Sequence, residues 1–336
     1  MATILDQYDG DTLNSLRRAT ILDQYDGDTL NSLRRDFNQI EKEAYDLPRE
    51  SLDAIMSAPI KGGISKGAQT YTVRTITKLG MAKVISADAK DLPPVSLAFK
   101  KNTVEIHNVG ASYKFTNEEL DGAAFAGIPL ESLDARAARQ TIDEKVDEII
   151  YVGEKDWSLL GLLTNPNVTR TIAADNAAGT SKKWKDKTLD EITKDIQTMV
   201  DAVFNATKGP RGSGTVTPDT LKLPREAYTS LTTRTKGVDS DVTFLKALQD
   251  RFAPQGIKSI ECCNSAAGVG KVSVDGDADR ALLYKKAPEN VFSILPVVFK
   301  VLPAQYVGLS IIYNCVARTG GTAWRRPTTG AYMDGV

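Results

Sequence analysis

Between Thr70 and Thr116 the chain reads "TYTVRTITKLGMAKVISADAKDLPPVSLAFKKNTVEIHNVGASYKFT". Apolar and polar residues alternate there, as in Tyr71, Val73, Thr75 and later Val104 and Ile106, with β-branched enrichment and breaks at Gly80 and Pro93-Pro94. A period of two in such a composition predicts strands about a long hairpin. Its centre, "SADAKDLPP", is too polar to enter a core, so the hairpin has to project from the body. A two-stranded ribbon has no second layer of its own, and a neighbour must cover its apolar side.

The period changes after the hairpin. Thr116-Asn-Glu-Glu119 and Thr188-Leu-Asp-Glu191 are capping boxes, each predicting a helix start. The first helix is short and interrupted at Gly127-Ile-Pro129. A second then runs from Leu130 for over twenty residues, with Leu133, Ala137, Ala138, Ile142, Val146 and Ile149 on one face. The helix capped at Thr188 carries Ile192, Ile196, Val200 and Val203 and stops before the glycine-rich "KGPRGSGT". Strand, helix, helix, strand follow in "DTLKLP", "REAYTSLTT", "DVTFLKALQDRF" and "IKSIECC". The final third reads as strands closed by a turn-rich "GGTAWRRPTTGAYMDGV". The fold class is α+β, with a long helix beside one sheet and a second sheet elsewhere.

The first residues pose a different problem. Ala2–Arg18 and Ala19–Arg35 are one phrase written twice without a substitution. Two identical short copies are not a solenoid, which needs about three longer ones. The second copy continues into an amphipathic pattern through Leu30, Leu33, Phe37, Ile40 and Ala44, predicting a helix from Asp28 to Tyr45 stopped by Pro48. The first has no such continuation and reads as a spare left by duplication. "PIKGGISKG", from Pro59 to Gly67, reads as a flexible hinge.

At 336 residues the chain is expected to form two linked subdomains. A formal net charge of -1 argues against gripping nucleic acid over a wide basic face. Cys262, Cys263 and Cys315 make neither a paired CxxC nor a disulfide framework, so buried free thiols are expected. Neither a signal sequence nor an apolar run of membrane-spanning length is visible, which leaves the two sequons at Asn167 and Asn205 without weight.

Material for chemistry is scarce. His107 is the lone histidine and sits in an alternating strand. Asp275, Asp277 and Asp279 begin like a calcium loop, but Arg280 and Lys286 stand where glycine and glutamate belong. "AAGVGK", Ala266–Lys271, fails as a phosphate loop at Ser265 and Val272. "KGPRGSGT" has no strand feeding it and no helix opening from it. The alternating charges of the long helix suit a solvated face, and Trp324-Arg325-Arg326 suits a strand edge or subunit contact better than a ligand site. No catalytic residue, metal ligand or cofactor site is assigned, and the chain is not expected to be an enzyme.

The order of parts resembles the tailed-bacteriophage major capsid proteins with the Hong Kong 97-like fold. "DLPPVSL" in the hairpin, "YKFTNEELDGAAFAGIPLESLDARAARQTIDEKVDEIIYVGEKDWSLLGLLTNPNV" at the centre and "LPVVFKVLPAQYVGLSIIYNCVARTGGTAWRRPTTGAYMDGV" at the end carry the resemblance. It implies an N-terminal arm at 1–60, an extended loop with flanking strands at 61–115, and a peripheral domain with a spine helix at 116–189. An axial domain at 190–291 and returning peripheral strands at 292–336 complete the chain. It further implies a non-enzymatic subunit that assembles into pentamers and hexamers of a phage head around double-stranded DNA, bound without sequence specificity and without a membrane. The partners would be copies of itself, a separate scaffolding protein, a portal and decoration proteins. Synthesis would be in the host bacterial cytoplasm and residence in the virion. Some relatives cross-link lysine to asparagine between subunits; Lys83, Lys90 and Asn102 are available, with no pair singled out.

Two other readings of the sequence stay open. An encapsulin-type nanocompartment shell shares the fold, and a metal-dependent binding module could be built on Asp275, Asp277 and Asp279. An arm laid across a neighbour tolerates extra length better than a core element does. Deleting Ala2–Arg18 is therefore expected to leave particle assembly unchanged in sedimentation, and loss of particles would show that the first copy is needed.

Overall fold

The computed structural model describes residues 52–80, 82–84, 94–126, 130–208, 216–236, 242–271 and 277–336. The tandem phrase, the Asp28–Tyr45 helix, most of "KGPRGSGT" and Asp275 lie outside the described residues. In chain order the elements begin with α1 (Ala54–Ser57), β1 (Thr70–Leu79), β2 (Ser96–Glu105), β3 (His107–Thr116), α2 (Asn117–Ala126) and α3 (Leu130–Tyr151). Next come β4 (Gly153–Glu154), β5 (Leu159–Leu160), β6 (Thr169–Ile172), α4 (Leu189–Ala206), β7 (Thr220–Leu223), α5 (Arg225–Thr233), α6 (Phe244–Phe252) and β8 (Ser259–Cys262). The last group is β9 (Gly270–Lys271), β10 (Asp277–Ala278), β11 (Arg280–Tyr284), β12 (Val291–Ser293), β13 (Val297–Val301), β14 (Gln305–Val307), β15 (Ser310–Thr319), β16 (Thr322–Trp324) and β17 (Gly330–Asp334).

Both capping boxes form. Thr116 N–H donates to Glu119 Oε2 at 2.8 Å while Glu119 N–H donates to Thr116 Oγ1 at 3.3 Å, and Thr188 with Glu191 repeats the exchange at the start of α4. Reciprocal caps satisfy two helix-end donors at once, which explains why the chain turns helical at these points. The long helix α3 spans 22 residues, about 33 Å at 1.5 Å per residue. It ends where Gly153 takes a left-handed φ of +83°, and a Cβ there would sit 2.3 Å from Leu159 O, so only glycine fits. Its buried stripe is Ala138, Ile142, Val146, Ile149 and Ile150. Ala137, expected inside, is exposed, because it lies about 100° around the helix from Ala138.

The helix α3 is wedged between two sheets. On one side is a four-stranded sheet in which β15 pairs with β3 from Ser310↔Thr116 to Thr319↔His107, with β13 and β14 along its other edge. On the other is a five-stranded sheet in the order β6-β17-β11-β7-β8. Alternate residues of that sheet serve different cores, as a period of two requires. Leu221, Leu223, Ala281, Leu283, Ala331 and Met333 pack under α4, α5 and α6, whereas Leu282, Tyr284 and Tyr332 pack towards α3 together with Cys315 and Ala317.

Ser51–Val336 forms one compact unit, within which two cores share the five-stranded sheet. The expected strand, helix, helix, strand order appears as β7, α5, α6 and β8, with β8 parallel to β7. The turn-rich reading of the C-terminal stretch is corrected. It holds β16 and the wholly buried β17, which pairs with both β11 and β6 near the middle of the five-stranded sheet. The predicted hinge at 59–67 is corrected too, for it is pinned. Ser293 N–H donates to Pro59 O at 3.0 Å, Lys61 N–H donates to Ser293 O at 2.9 Å, and Arg318 donates to Lys66 O and Ala68 O.

Asp334, the last residue of β17, is fully buried and collects charge from distant segments. Arg280 grips it with Nε at 2.6 Å and Nη2 at 2.9 Å, Lys271 N–H donates at 3.1 Å, and Arg170 adds a further contact from β6. Burial alone would raise the carboxyl pKa, but the Arg280 and Lys271 hydrogen bonds and the charges of Arg280 and Arg170 hold it below the ordinary aspartate value. Its stabilisation is therefore complete above about pH 4 and is lost as pH falls through the lowered folded value. Asp334→Ala is expected to cost about 3–5 kcal/mol in urea unfolding, because it leaves the buried Arg280 unpaired. The variant should also lose less stability than the parent between about pH 5 and 2, and equal acid loss in the two proteins would contradict this.

Candidate assembly interface

The projecting hairpin is a ladder of β1 and β2, paired antiparallel from Thr70↔Glu105 to Leu79↔Ser96. Paired residues share a face, so the register sorts its side chains into two sets. One set turns towards the body. Val73 is buried, Tyr71 and Val104 are half-buried, and with Ile106 they meet Phe292, Ile294 and Ala323 in a small cluster at the hairpin root. The other set packs against no core cluster of the described residues. Ile76 lies opposite Phe99, and Leu97 is the next residue of β2 on the same face; their exposures are 56%, 63% and 52%. Arg74 and Lys101 face each other on that side too, a like-charge pair that disfavours the ribbon standing alone.

A second uncovered patch tips the opposite end of the four-stranded sheet. Gly308, at a φ of +62°, turns β14 into β15, and Tyr306, Val307 and Leu309 around it are largely exposed. Phe125, near the end of α2, is 89% exposed. Single exposed apolar residues are ordinary, but clusters on two projections mark surfaces meant for contact.

The segment entering the body from the N-terminal side is fastened by charge. Lys222, 1% exposed in mid-strand, donates to Asp53 Oδ2 at 3.1 Å and pairs with Glu261 Oε2 at 3.0 Å. Tyr151, the last residue of α3, donates to Asp53 Oδ1 at 2.7 Å and lies 2.7 Å from Ser57 Oγ. Burial pulls the Lys222 ammonium pKa down, but the Glu261 hydrogen bond and the charges of Asp53 and Glu261 outweigh it and leave it above the ordinary lysine value. An ammonium held in that way is a strut and not a nucleophile. Nearby Cys263 is pushed up to about 12, mainly by burial, and is inert as a thiolate source. The other cysteines are also free, Cys315 buried and Cys262 half-buried.

The residues weighed for chemistry are scattered. His107 tilts against Trp157 with ring centres 4.8 Å apart, and its Nε2 is 3.3 Å from Glu105 Oε2, outside hydrogen-bond geometry. Asp279 accepts from Gly268 N–H at 3.0 Å, and Asp277 contributes backbone to β10. Ala266–Lys271 runs from the end of a 3-10 turn (Asn264–Ala266) into β9, and Lys271 N–H serves Asp334. Lys90 is outside the described residues, and Asn102 sits on β2 opposite Val73. Trp324 closes β16 with its ring edge-on to Tyr284, and Arg325 lies over the Phe292 ring at 5.1 Å. None of the described residues chosen from sequence converges on another as an acid, base and nucleophile would.

The fold matches solved shells. It is similar to the capsid of Myoviridae phage XM1, at 17% identity and a TM-score of 0.73, covering 90% of this chain and 98% of that one. It is also similar to Mycobacterium phage Bobi, at 17% identity and a TM-score of 0.54, covering 90% and 97%. A virus-like particle from Pyrococcus furiosus matches at 12% identity and a TM-score of 0.52, covering 83% and 91%. A search of curated proteins finds no match. These likenesses define the class by its fold, α+β and Hong Kong 97-like. The model of the major capsid protein family matches residues 80–336, and the chain belongs to that family. It is a structural, non-enzymatic component of the phage capsid, a shell built from many copies of itself.

An uncovered face has a measurable signature in the free subunit. Phe99→Asp is expected to change its unfolding free energy by no more than about 0.5 kcal/mol, whereas Val73→Asp at the buried root should cost several times more. Urea titration of dissociated subunits checks the contrast, and equal costs would mean that the outer face is covered within the chain.

Proposed function

We propose that the chain builds the pentamers and hexamers of an icosahedral or prolate head that encloses double-stranded DNA. The observation that carries this reading is the outer face of the hairpin, where Ile76, Leu97 and Phe99 are apolar, contiguous and uncovered. Burying about 25 cal/mol for each Å² of apolar surface gives each such contact modest strength. Repetition over a closed symmetric shell turns many weak contacts into a stable particle. A near-neutral chain suits this role, since protein contacts hold such a shell and no broad basic face is needed to grip DNA.

In this reading residues 1–60 are the arm, 61–115 the extended loop and its flanks, 116–189 the peripheral domain with α3 as spine, 190–291 the axial domain, and 292–336 the returning segment. The grouping of α4, α5 and α6 under one face of the five-stranded sheet supports an axial unit. Its sheet also takes β6 and β17 from outside 190–291, so the unit borrows strands from both flanks. A separate scaffolding protein, a portal and decoration proteins are the expected helpers, with synthesis in the host bacterial cytoplasm. The match to the major capsid protein family favours a phage head over an enzyme-packaging nanocompartment.

Electron micrographs of the purified full-length chain test the reading. Closed particles are expected for the parent and at least about tenfold fewer for Phe99→Asp, while Phe99→Leu keeps them. Equal particle yields from the parent and Phe99→Asp would remove the hairpin from the assembly contact.

A further inference from the structure

Between the root of the hairpin and the C-terminal turn lies a cavity of about 320 Å³ with an unbalanced lining. Lys100 reaches it from β2, and Arg325 and Arg326 from the turn after β16. Among the described residues no aspartate or glutamate lines it. None of the three cations has a carboxylate partner among the described residues; Arg325 instead rests on the Phe292 ring.

Two of the neutral lining residues are almost wholly buried. Asn165 is 5% exposed and accepts from Asn167 N–H at its Oδ1, 2.9 Å away. Trp324 is 3% exposed, and its Nε1–H is buried with no partner among the described residues. A smaller adjoining recess shares Asn102, Asn165 and Trp324 and contains Glu105, whose carboxylate is beside His107.

Three cations and one unpartnered buried indole N–H around one void favour negative charge there. While the cavity is open, water screens the charges. If a neighbour covers the adjoining hairpin, as proposed above, those cations lose water, and leaving them unpaired would be strongly unfavourable. The covering surface therefore has to bring negative charge. We propose that this cavity receives a carboxylate side chain from a second copy of the chain, so that each hairpin root is completed by an acid of the adjacent subunit. The inference rests on the shell reading. A protein carboxylate fits better than a nucleic acid phosphate because the charge is confined to a recess with apolar walls at Val73, Trp324 and Pro327, and not spread along a surface that could track a backbone. Each copy also supplies acids in number, with 43 Asp and Glu against 42 Lys and Arg.

The test uses shells assembled from equal amounts of unlabelled and ¹⁵N-labelled full-length chain, treated with a carbodiimide that joins amines to carboxylates in contact, then digested and read by mass spectrometry. Lys100 is expected in a peptide pair of mixed isotope, linked to one Asp or Glu position. Lys100→Arg should preserve shell yield, and Lys100→Glu with Arg326→Glu should lower it at least tenfold without changing the melting temperature of the free subunit. Shells in which Lys100 links only within one chain, or not at all, overturn the proposal. So does protection of Arg325 and Arg326 from arginine-specific modification in DNA-filled shells but not in empty ones, which would assign the site to nucleic acid. Micrographs of the same preparation judge the shell reading separately: absent shells overturn both, and shells without the mixed link overturn the site alone.

Discussion

A ribbon of two strands has two faces and, by itself, a body to cover only one of them. The ladder of β1 and β2 spends Tyr71, Val73 and Val104 on its root and leaves Ile76, Leu97 and Phe99 in water. The register enforces this division, since a shift by one residue would turn the exposed set inward and strand the buried one. The like-charged pair Arg74 and Lys101 adds to the cost of standing alone. The ribbon is thus held at its base, and its uncovered outer face is what the proposed assembly contact rests on.

The body is built to be the rigid partner of this ribbon. Its interior strand β17 is buried on both faces, and Asp334 at its end ties β6, β9 and β11 together through Arg170, Lys271 N–H and Arg280. The helix α3 separates the two sheets and ends on Tyr151, which with Asp53 and Lys222 fastens the incoming N-terminal segment. Buried ion pairs of this kind do little for net stability but penalise every alternative in which a partner is missing. They fix the positions from which the hairpin, the β14–β15 turn and α2 present their apolar residues.

Much of this was legible in the sequence, and the reason is locality. The hairpin, both capping boxes, α3 and the β7-α5-α6-β8 order depend on periods and caps within a few residues. What escaped depends on partners far away in the chain. Gly330–Asp334 is flanked by glycine and threonine and reads as turn, yet β11 and β6 make it a core strand. Pro59–Gly67 reads as a free linker, yet Ser293 and Arg318 pin it. Lys222 cannot announce its pairing with Asp53 across 169 positions. Trp324-Arg325-Arg326 stood out as a cluster, but Lys100 and Asn165, which give it a cavity, lie over a hundred positions away. Residues at the interface were visible only as an excess of apolar side chains with nowhere to go.

Amide hydrogen exchange on β1 and β2, compared between dissociated subunits and closed shells, addresses the central claim directly. The account predicts fast exchange along Ile76–Leu79 and Ser96–Phe99 in the free subunit, slow exchange at the root near Val73, and strong protection of the whole ladder once shells form. Strong protection along the outer ladder already in the free subunit would contradict it, because the outer face of the ribbon would then be complete within a single chain.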